Sequence, residues 1–258
     1  FRYRSNKNIV DEMEYWLTKY GVADFHFEDV NPTINKNRIQ DLAKEILKRK
    51  LKIIWKLVSG TKVETFDEET LRLIRKAGCK YISISPESGS PDVMKRIGKP
   101  FDLQHALKML KVMNEIGIFS QVCFVLGFPG ETADDLKLTM NMAVQCAKNG
   151  ADEIAIFIIT PLPGSQTYYP KNDIYIDGFK SLETLTFSPL WRSDYKKLAY
   201  WRLKIALIFN ITKFIFFPLK VIKFCYNILT GCYETKTEQL LRRILFLIKI
   251  LIFKHKRR

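Results

Sequence analysis

Five short segments of this sequence concentrate groups that can bind a small polar ligand. They are Glu28-Asp29, Ser59-Gly60, Pro86-Glu87-Ser88, Gly127-Phe128-Pro129-Gly130 and Thr160-Pro161-Leu162-Pro163-Gly164. Carboxylates accept hydrogen bonds from an amine or a hydroxyl, and the glycine of PESGS (86–90) is expected to let a ligand approach the backbone. In GFPGET (127–132), free backbone N–H groups before a helix can hold anionic or polar groups. One such segment is ordinary turn chemistry, but several at one rim indicate a binding site.

The elements between these segments alternate between helical and extended patterns. Apolar spacing predicts helices over about 5–20, 36–50, 65–77, 102–116 and 132–149, and strands over 23–29, 51–58, 80–85, 119–126 and 153–160. Capping boxes are expected at Thr65 with Glu68 and at Thr132 with Asp135. This alternation predicts an α/β fold with a parallel sheet, open or curled into a barrel. The five segments then follow the carboxyl ends of strands, where such folds bind ligands.

The segments, read in order, resemble a known family. The series YGVADFHFEDVNPT, TLRLIRKAGCKYISISPESGS, VMKRIGKP, QVCFVLGFPGET and TPLPGSQTY is similar to the radical S-adenosylmethionine superfamily, over about residues 2–170. The resemblance is to the branch that often carries an upstream cobalamin-binding domain. It implies a partial (βα)6 TIM-like barrel, here without its first strand.

The resemblance also implies cofactors and partners. The family's CxxxCxxC loop holds a [4Fe–4S] cluster, which chelates S-adenosylmethionine and cleaves it reductively to a 5′-deoxyadenosyl radical. A reductant protein such as a flavodoxin or ferredoxin is implied, and cobalamin would act through an upstream domain. The substrate would be a small molecule or a lipid-like molecule.

Ten residues match the family's cofactor-binding motifs. The resemblance places Glu28 and Asp29 beside the methionine amino group, and Glu87 and Ser88 near the ribose and the methionine carboxylate. Arg96 is a further candidate for that carboxylate. Gly127, Phe128 and Pro129 match the fifth-strand motif, and Thr160 and Pro161 match the segment along the adenine edge. A catalytic residue is not assigned.

The five cysteines do not form the cluster motif. Cys79, Cys123, Cys146, Cys225 and Cys232 are too scattered for CxxxCxxC, for a disulfide framework or for a zinc site. Because the chain begins at the helix that follows the cluster loop, we expect the cluster cysteines upstream of Phe1. The alternative is a clusterless member of the family. In either case this chain alone is expected not to cleave S-adenosylmethionine.

The basic character of the chain lies at one end. Residues 1–195 carry 27 Lys and Arg against 25 Asp and Glu, whereas residues 196–258 carry 15 against 2. These cations are interleaved with Phe, Ile and Leu, which favours an anionic membrane surface over nucleic acid. Lysines and Pro218 interrupt the apolar runs. We therefore expect interfacial amphipathic helices, in preference to a transmembrane span or to a helix packed on another domain.

The sequence thus predicts that the chain has three parts. It also predicts a cytoplasmic protein that binds peripherally to the membrane. The parts are a partial radical S-adenosylmethionine core at 1–170, a connecting segment at 171–200 and an amphipathic basic tail at 201–258. The leading hypothesis is the C-terminal portion of a radical enzyme acting on an unidentified, apolar substrate. Its rivals are a clusterless, non-catalytic, membrane-associated barrel module and a TIM-barrel aldolase or isomerase, for which Lys56 is the candidate base.

Overall fold

The computed structural model describes residues 3–29, 31–99, 101–159, 193–232 and 234–255. The helices are α1 (Asn6–Tyr20), α2 (Lys36–Lys48), α3 (Glu68–Lys76), α4 (Pro91–Arg96), α5 (Leu103–Ile116), α6 (Ala133–Lys148), α7 (Tyr195–Phe216), α8 (Pro218–Thr230) and α9 (Lys236–His255). The strands are β1 (Asp24–Phe27), β2 (Ile54–Thr61), β3 (Cys79–Glu87), β4 (Phe119–Leu126) and β5 (Glu153–Ile158). Each of β1 to β4 is followed by at least one helix before the next strand.

The five strands form one parallel sheet in the order β1-β2-β3-β4-β5. Sequential strands are neighbours, as they are in a curled βα array, and within the described residues the sheet is open and β1 pairs only with β2. The predicted α/β partial barrel is therefore confirmed. The regular alternation of strands and helices predicts a parallel sheet, because a parallel pair needs a long crossover connection between its strands.

One of the two predicted capping boxes forms. Ser5 caps α1, and Thr132 and Asp135 form a complete capping box on α6. Gly117 adopts a left-handed conformation at the end of α5. The Thr65–Glu68 capping box is wrong: Asp67 caps α3 by accepting a hydrogen bond from the Thr70 N–H. Thr65 instead ends a 3₁₀ turn, where its hydroxyl donates to the Lys62 carbonyl.

The core lies between the helices and one face of the sheet. Trp55, Leu57, Ile82, Ile84 and Phe124 point from the strands into this layer and are fully buried. The Trp55 indole N–H donates to the Ala77 carbonyl over 2.8 Å, so the largest buried side chain also satisfies its polar atom.

The helix α7 belongs to this core. Leu198, Trp201, Ile205 and Phe209 lie along one side of it and are buried against α6 and β5. α7 begins at Tyr195, so the predicted tail boundary at residue 201 falls inside a helix whose inner face packs on the sheet layer. Among the described helices none is alone long and apolar enough to cross a bilayer, and α7 with α8 passes that test only as a pair bent by 107°.

We predict that Phe209→Ala lowers the free energy of unfolding by about 3–5 kcal/mol, because it leaves a cavity in the core. The control is Leu207→Ala, two residues away on the same helix, whose side chain is 58% exposed; it should change stability by less than about 1 kcal/mol. Urea unfolding of both variants is the measurement. Equal effects would contradict the packing of α7 on the core.

Candidate functional site

Four of the five predicted binding segments lie together at the carboxyl end of the sheet, and the fifth, residues 160–164, is outside the described residues. Glu28 follows β1, Glu87 ends β3 and Gly127 follows β4, and these strands are parallel. Neighbouring strands are about 4.8 Å apart, so the rim from β1 to β4 is about 15 Å long. This length suits an extended nucleotide-sized ligand lying across the strand ends.

The first corner of the rim is made by β1 and β2. Glu28 and Asp29 are both solvent-exposed. The Ser59 hydroxyl donates to a Glu28 carboxylate oxygen over 3.4 Å and so ties the two strand ends together. Gly60, with φ of 29°, brings the backbone so close to β3 that a Cβ would lie 2.4 Å from Ser85 Oγ. Two carboxylates therefore face solvent at this corner on a backbone held close to its neighbour.

The second corner is the end of β3. Glu87 has a left-handed backbone (φ 64°), which is rare for a residue with a Cβ, and its carboxylate forms an ion pair with Lys99. Strained backbone held by its surroundings is common at ligand sites. Lys99 is a partner that the sequence pattern did not indicate.

Ser88 and Gly89 serve the packing of this corner. Ser88 is fully buried, and its hydroxyl is hydrogen-bonded to Thr139 on α6 and accepts from the Ser90 N–H. A Cβ on Gly89 would lie 2.3 Å from the Leu138 carbonyl oxygen. The glycine of PESGS thus lets α6 approach the backbone, which corrects the expected approach of a ligand. Glu87 is the side chain of this corner that can reach a ligand.

A buried polar cluster joins the second corner to the loop after β4. The Ser90 hydroxyl donates to one Asp135 oxygen over 2.5 Å, and the other Asp135 oxygen accepts from the Thr132 N–H and hydroxyl, each over 2.8 Å. The hydrogen bond from Ser90 is the main cause that lowers the pKa of Asp135. The capping box was predicted, but its second partner, Ser90, was not.

The third corner is the GFPG loop. The Gly127 N–H donates to the Glu131 carboxylate over 2.5 Å, and Arg96 on α4 donates to the Gly130 carbonyl over 3.3 Å. The predicted free N–H at Gly127 is therefore used by the loop itself. Phe128 and Pro129 are half-buried at the turn. Arg96 lies against this loop, so the structure brings it to the rim beside the β4 end.

The face of the sheet away from the core is polar near the strand centres. Lys56 pairs with Asp24 over 2.7 Å, the Ser83 hydroxyl donates to Gln121 over 3.2 Å, and the Tyr81 hydroxyl donates to Glu153 over 2.8 Å. Lys56 lies inside β2 and in an ion pair, which does not support the aldolase hypothesis. In the sequence, the polar residues that alternate along β3 are the pattern that could have predicted this polar face.

The cysteines of this chain do not fit an iron–sulfur cluster. Cys79 and Cys146 are buried, and burial raises the pKa of each thiol to about 12, which opposes the thiolate form that binds metal. In the part of the chain that the structure describes, no three His, Cys, Asp or Glu side chains lie together as a metal site. Thr160 and Pro161 lie outside the described residues.

A groove of about 490 Å³ lies at the open edge of β1. Its walls include Met13 and Trp16 from α1, Phe25 from β1, and Arg38 from α2, with Asp29 at the end nearest the rim. The groove has both apolar and charged walls, and it lies along β1, which among the described residues pairs with β2 alone.

The sequence model of the radical SAM superfamily matches residues 1–143. The chain belongs to the radical SAM superfamily. Its members use S-adenosylmethionine and a [4Fe–4S] cluster, and the matched part contains the first two corners and the GFPG loop of the rim.

Two curated relatives and one solved structure are similar to the chain. It is 28% identical to an uncharacterized methyltransferase of Pyrococcus horikoshii over 65% of this chain and 36% of that protein. It is 28% identical to the anaerobic magnesium-protoporphyrin IX monomethyl ester cyclase of Rubrivivax gelatinosus over 75% of this chain and 34% of that protein. The chain thus spans about a third of the length of these relatives.

The fold is similar to that of the radical S-adenosylmethionine methyltransferase TsrM from Kitasatospora setae, whose structure contains cobalamin and a [4Fe–4S] cluster. The TM-score is 0.55 at 20% identity, over 62% of this chain and 32% of that one.

We predict that Gly89→Ala destabilises the chain by more than about 2 kcal/mol, because the added methyl group overlaps the backbone of α6. Gly130→Ala is the control: it also lies in a rim loop, has φ of 72°, and a Cβ added there would meet no atom within 4 Å. It should cost about 1 kcal/mol of backbone strain. Thermal unfolding measures both, and a Gly89→Ala variant as stable as Gly130→Ala would contradict the packing role.

Proposed function

We propose that this chain is the C-terminal portion of a radical S-adenosylmethionine enzyme and that its rim binds S-adenosylmethionine. The observation that supports this most is the convergence of the β1, β3 and β4 loops at one edge of a sheet that belongs to this superfamily. Three loops at separate places on the surface could not bind one ligand together.

The exposed carboxylates give the rim its chemistry. Glu28 accepts hydrogen bonds from the methionine amino group, and Glu87 lies near the ribose. Arg96, against the GFPG loop, provides a cation for the methionine carboxylate. Glu131 and Ser88 act by holding the loops in place. When bound, S-adenosylmethionine supplies the 5′-deoxyadenosyl group that the family uses in radical chemistry.

The cluster ligands come from outside these 258 residues. The chain has no CxxxCxxC, and its described cysteines are scattered through buried and exposed places. The groove beside β1 offers the place for a preceding strand that carries the cluster loop. The chain alone is then inactive, and the electron for cleavage comes from a reductant protein such as a flavodoxin or ferredoxin.

The reaction class follows the relatives. A methyltransferase and a cyclase match the chain over most of its length, and the similar structure contains cobalamin. We therefore propose methyl transfer or cyclisation of a small-molecule substrate, with cobalamin bound by an upstream domain. The basic, apolar C-terminal segment gives the cytoplasmic protein a peripheral contact with anionic membrane.

A clusterless binding module is the second candidate, and the missing motif favours it. The longer gene product separates the two. A CxxxCxxC within about 30 residues before Phe1, at the loop position of the family's first strand, supports the enzyme. A continuous upstream sequence without it supports the module.

We predict that anaerobic reconstitution of the 258-residue chain with iron and sulfide gives no [4Fe–4S] absorption, and no paramagnetic signal after reduction with dithionite, because three suitably placed thiolates are missing. The longer protein with the upstream motif should give both. A stoichiometric, well-defined cluster in the 258-residue chain would overturn this assignment of the ligands.

We predict that Glu28→Gln in the reconstituted longer protein weakens S-adenosylmethionine binding by about tenfold, because a charge-assisted hydrogen bond is lost. Asp41→Asn is the control: this acid is 61% exposed on α2 and pairs with Lys44. It should leave the dissociation constant unchanged in calorimetry. Equal affinities for Glu28→Gln and the parent protein would remove Glu28 from the site.

A further inference from the structure

The outer side of α7 carries an exposed apolar stripe. Tyr200, Leu203, Leu207, Ile211 and Ile215 recur at helical spacing and are 48–70% exposed. They alternate with the buried residues of the inner side, so the helix is apolar on two sides and covered on only one. A stripe of this length exceeds the scattered single apolar residues that ordinary surfaces show.

Exposed apolar residues also recur on α8, which is bent by 107° from α7. Leu219, Ile222, Tyr226 and Leu229 follow the same spacing and are 62–86% exposed. On α9 the consecutive residues Ile244–Ile248 are all exposed, at 42–63%. The stripe on α7 runs along the side of the sheet, because α7 packs lengthwise on α6 and β5. We name the exposed apolar residues of α8 and α9 together the tail face. A helix that is apolar all round is stable only when an apolar environment covers it.

Buried polar contacts fix the tail face at the amino end of the sheet. The Lys213 ammonium donates to the Asp152 carbonyl over 3.0 Å, and Lys220 pairs with the Asp152 carboxylate over 2.7 Å. The Thr237 N–H donates to Glu153, the first residue of β5, over 2.5 Å. The tail face therefore lies at the opposite end of the strands from the rim.

The charge around the tail face is positive. Residues 196–258 contain 15 cations and two acids, Glu234 and Glu238. Both acids are used inside the segment: Glu234 pairs with Lys223 over 2.8 Å, and Glu238 accepts from Asn227 over 2.9 Å and from the Thr235 N–H. An acidic surface therefore complements this segment, whereas a second copy of it would bring like charges together.

We infer that the tail face docks on an anionic bilayer, with the amino end of the sheet toward the lipid and the rim toward water. Apolar side chains enter the interface while the long lysine and arginine side chains reach the headgroups. This inference rests on the proposed peripheral contact and adds its surface and its orientation. In this orientation the substrate reaches the rim from the aqueous side, and it is not a lipid taken from the docked bilayer.

Point substitutions test the surface better than truncation, since removing residues 200–258 would also remove the buried Trp201, Ile205 and Phe209. In flotation with phosphatidylserine–phosphatidylcholine vesicles, Ile222→Ser with Leu229→Ser should weaken partitioning by about tenfold or more. The control pair Thr230→Ser with Gln239→Ser, at exposed polar positions, should stay within about twofold. Equal binding of both pairs overturns the docking surface.

Probe depth tests the orientation. Cys225 is exposed on α8, and Asp134, whose side chain is 85% exposed, opens α6 next to the rim. A fluorophore on Cys225, with Cys123 and Cys232 replaced by Ser, should be quenched by brominated lipids. The same fluorophore on Asp134→Cys, with Cys225 also replaced by Ser, should not. Quenching at the rim position overturns the orientation, whether or not the probe on Cys225 is quenched.

The peripheral membrane contact and the docking orientation are defeated by different results. Parent protein that does not bind anionic vesicles at all defeats the peripheral contact and the inference with it. Binding with the probe at the rim quenched defeats the inference alone. Light scattering that shows a dimer abolished by Ile222→Ser with Leu229→Ser, without vesicle binding, assigns the tail face to a second copy and also defeats it.

Discussion

Parallel pairing of consecutive strands is the constraint on which the rest of this structure depends. Each parallel ladder forces a crossover through a helix, so every strand runs the same way and every carboxyl end meets at one edge. Segments that are distant in sequence, such as those at Glu28 and Gly127, therefore lie on one rim. The amino ends of the strands likewise meet at the opposite end of the sheet, where the carboxyl end of α7 and the starts of α8 and α9 are attached.

The attachment of those helices combines burial with charge. Asp152 is 9% exposed and pairs with Lys220, but burial is the larger effect and raises the pKa of Asp152. Burial likewise lowers the pKa of Lys213, against the attraction of Asp152. Such groups fix geometry more than they add stability, because desolvation offsets most of the Coulomb attraction. Apolar contacts of Trp201, Ile205 and Phe209 supply the stability of α7.

The sequence predicted the fold well where local chemistry decides it. β4 has its predicted bounds, and the capping box at Thr132 forms as expected, because it depends on residues within one turn. Contacts across long sequence separations were not predictable from one sequence. Ser88 turns toward Thr139, Gly89 admits the backbone of α6, and Lys99 pairs with Glu87. For the same reason the sequence pattern did not distinguish the inner side of α7 from a tail: its apolar residues have the same spacing as an interfacial helix.

Hydrogen–deuterium exchange of the reconstituted longer protein, with and without S-adenosylmethionine, shows whether the rim binds this ligand. We expect slower exchange on binding in the segments around residues 28–29, 87–90 and 127–131, and unchanged exchange at the amino ends of β4 and β5, around residues 119–121 and 152–154. Protection confined to the amino ends, or absent from all three rim segments at saturating ligand, would contradict it.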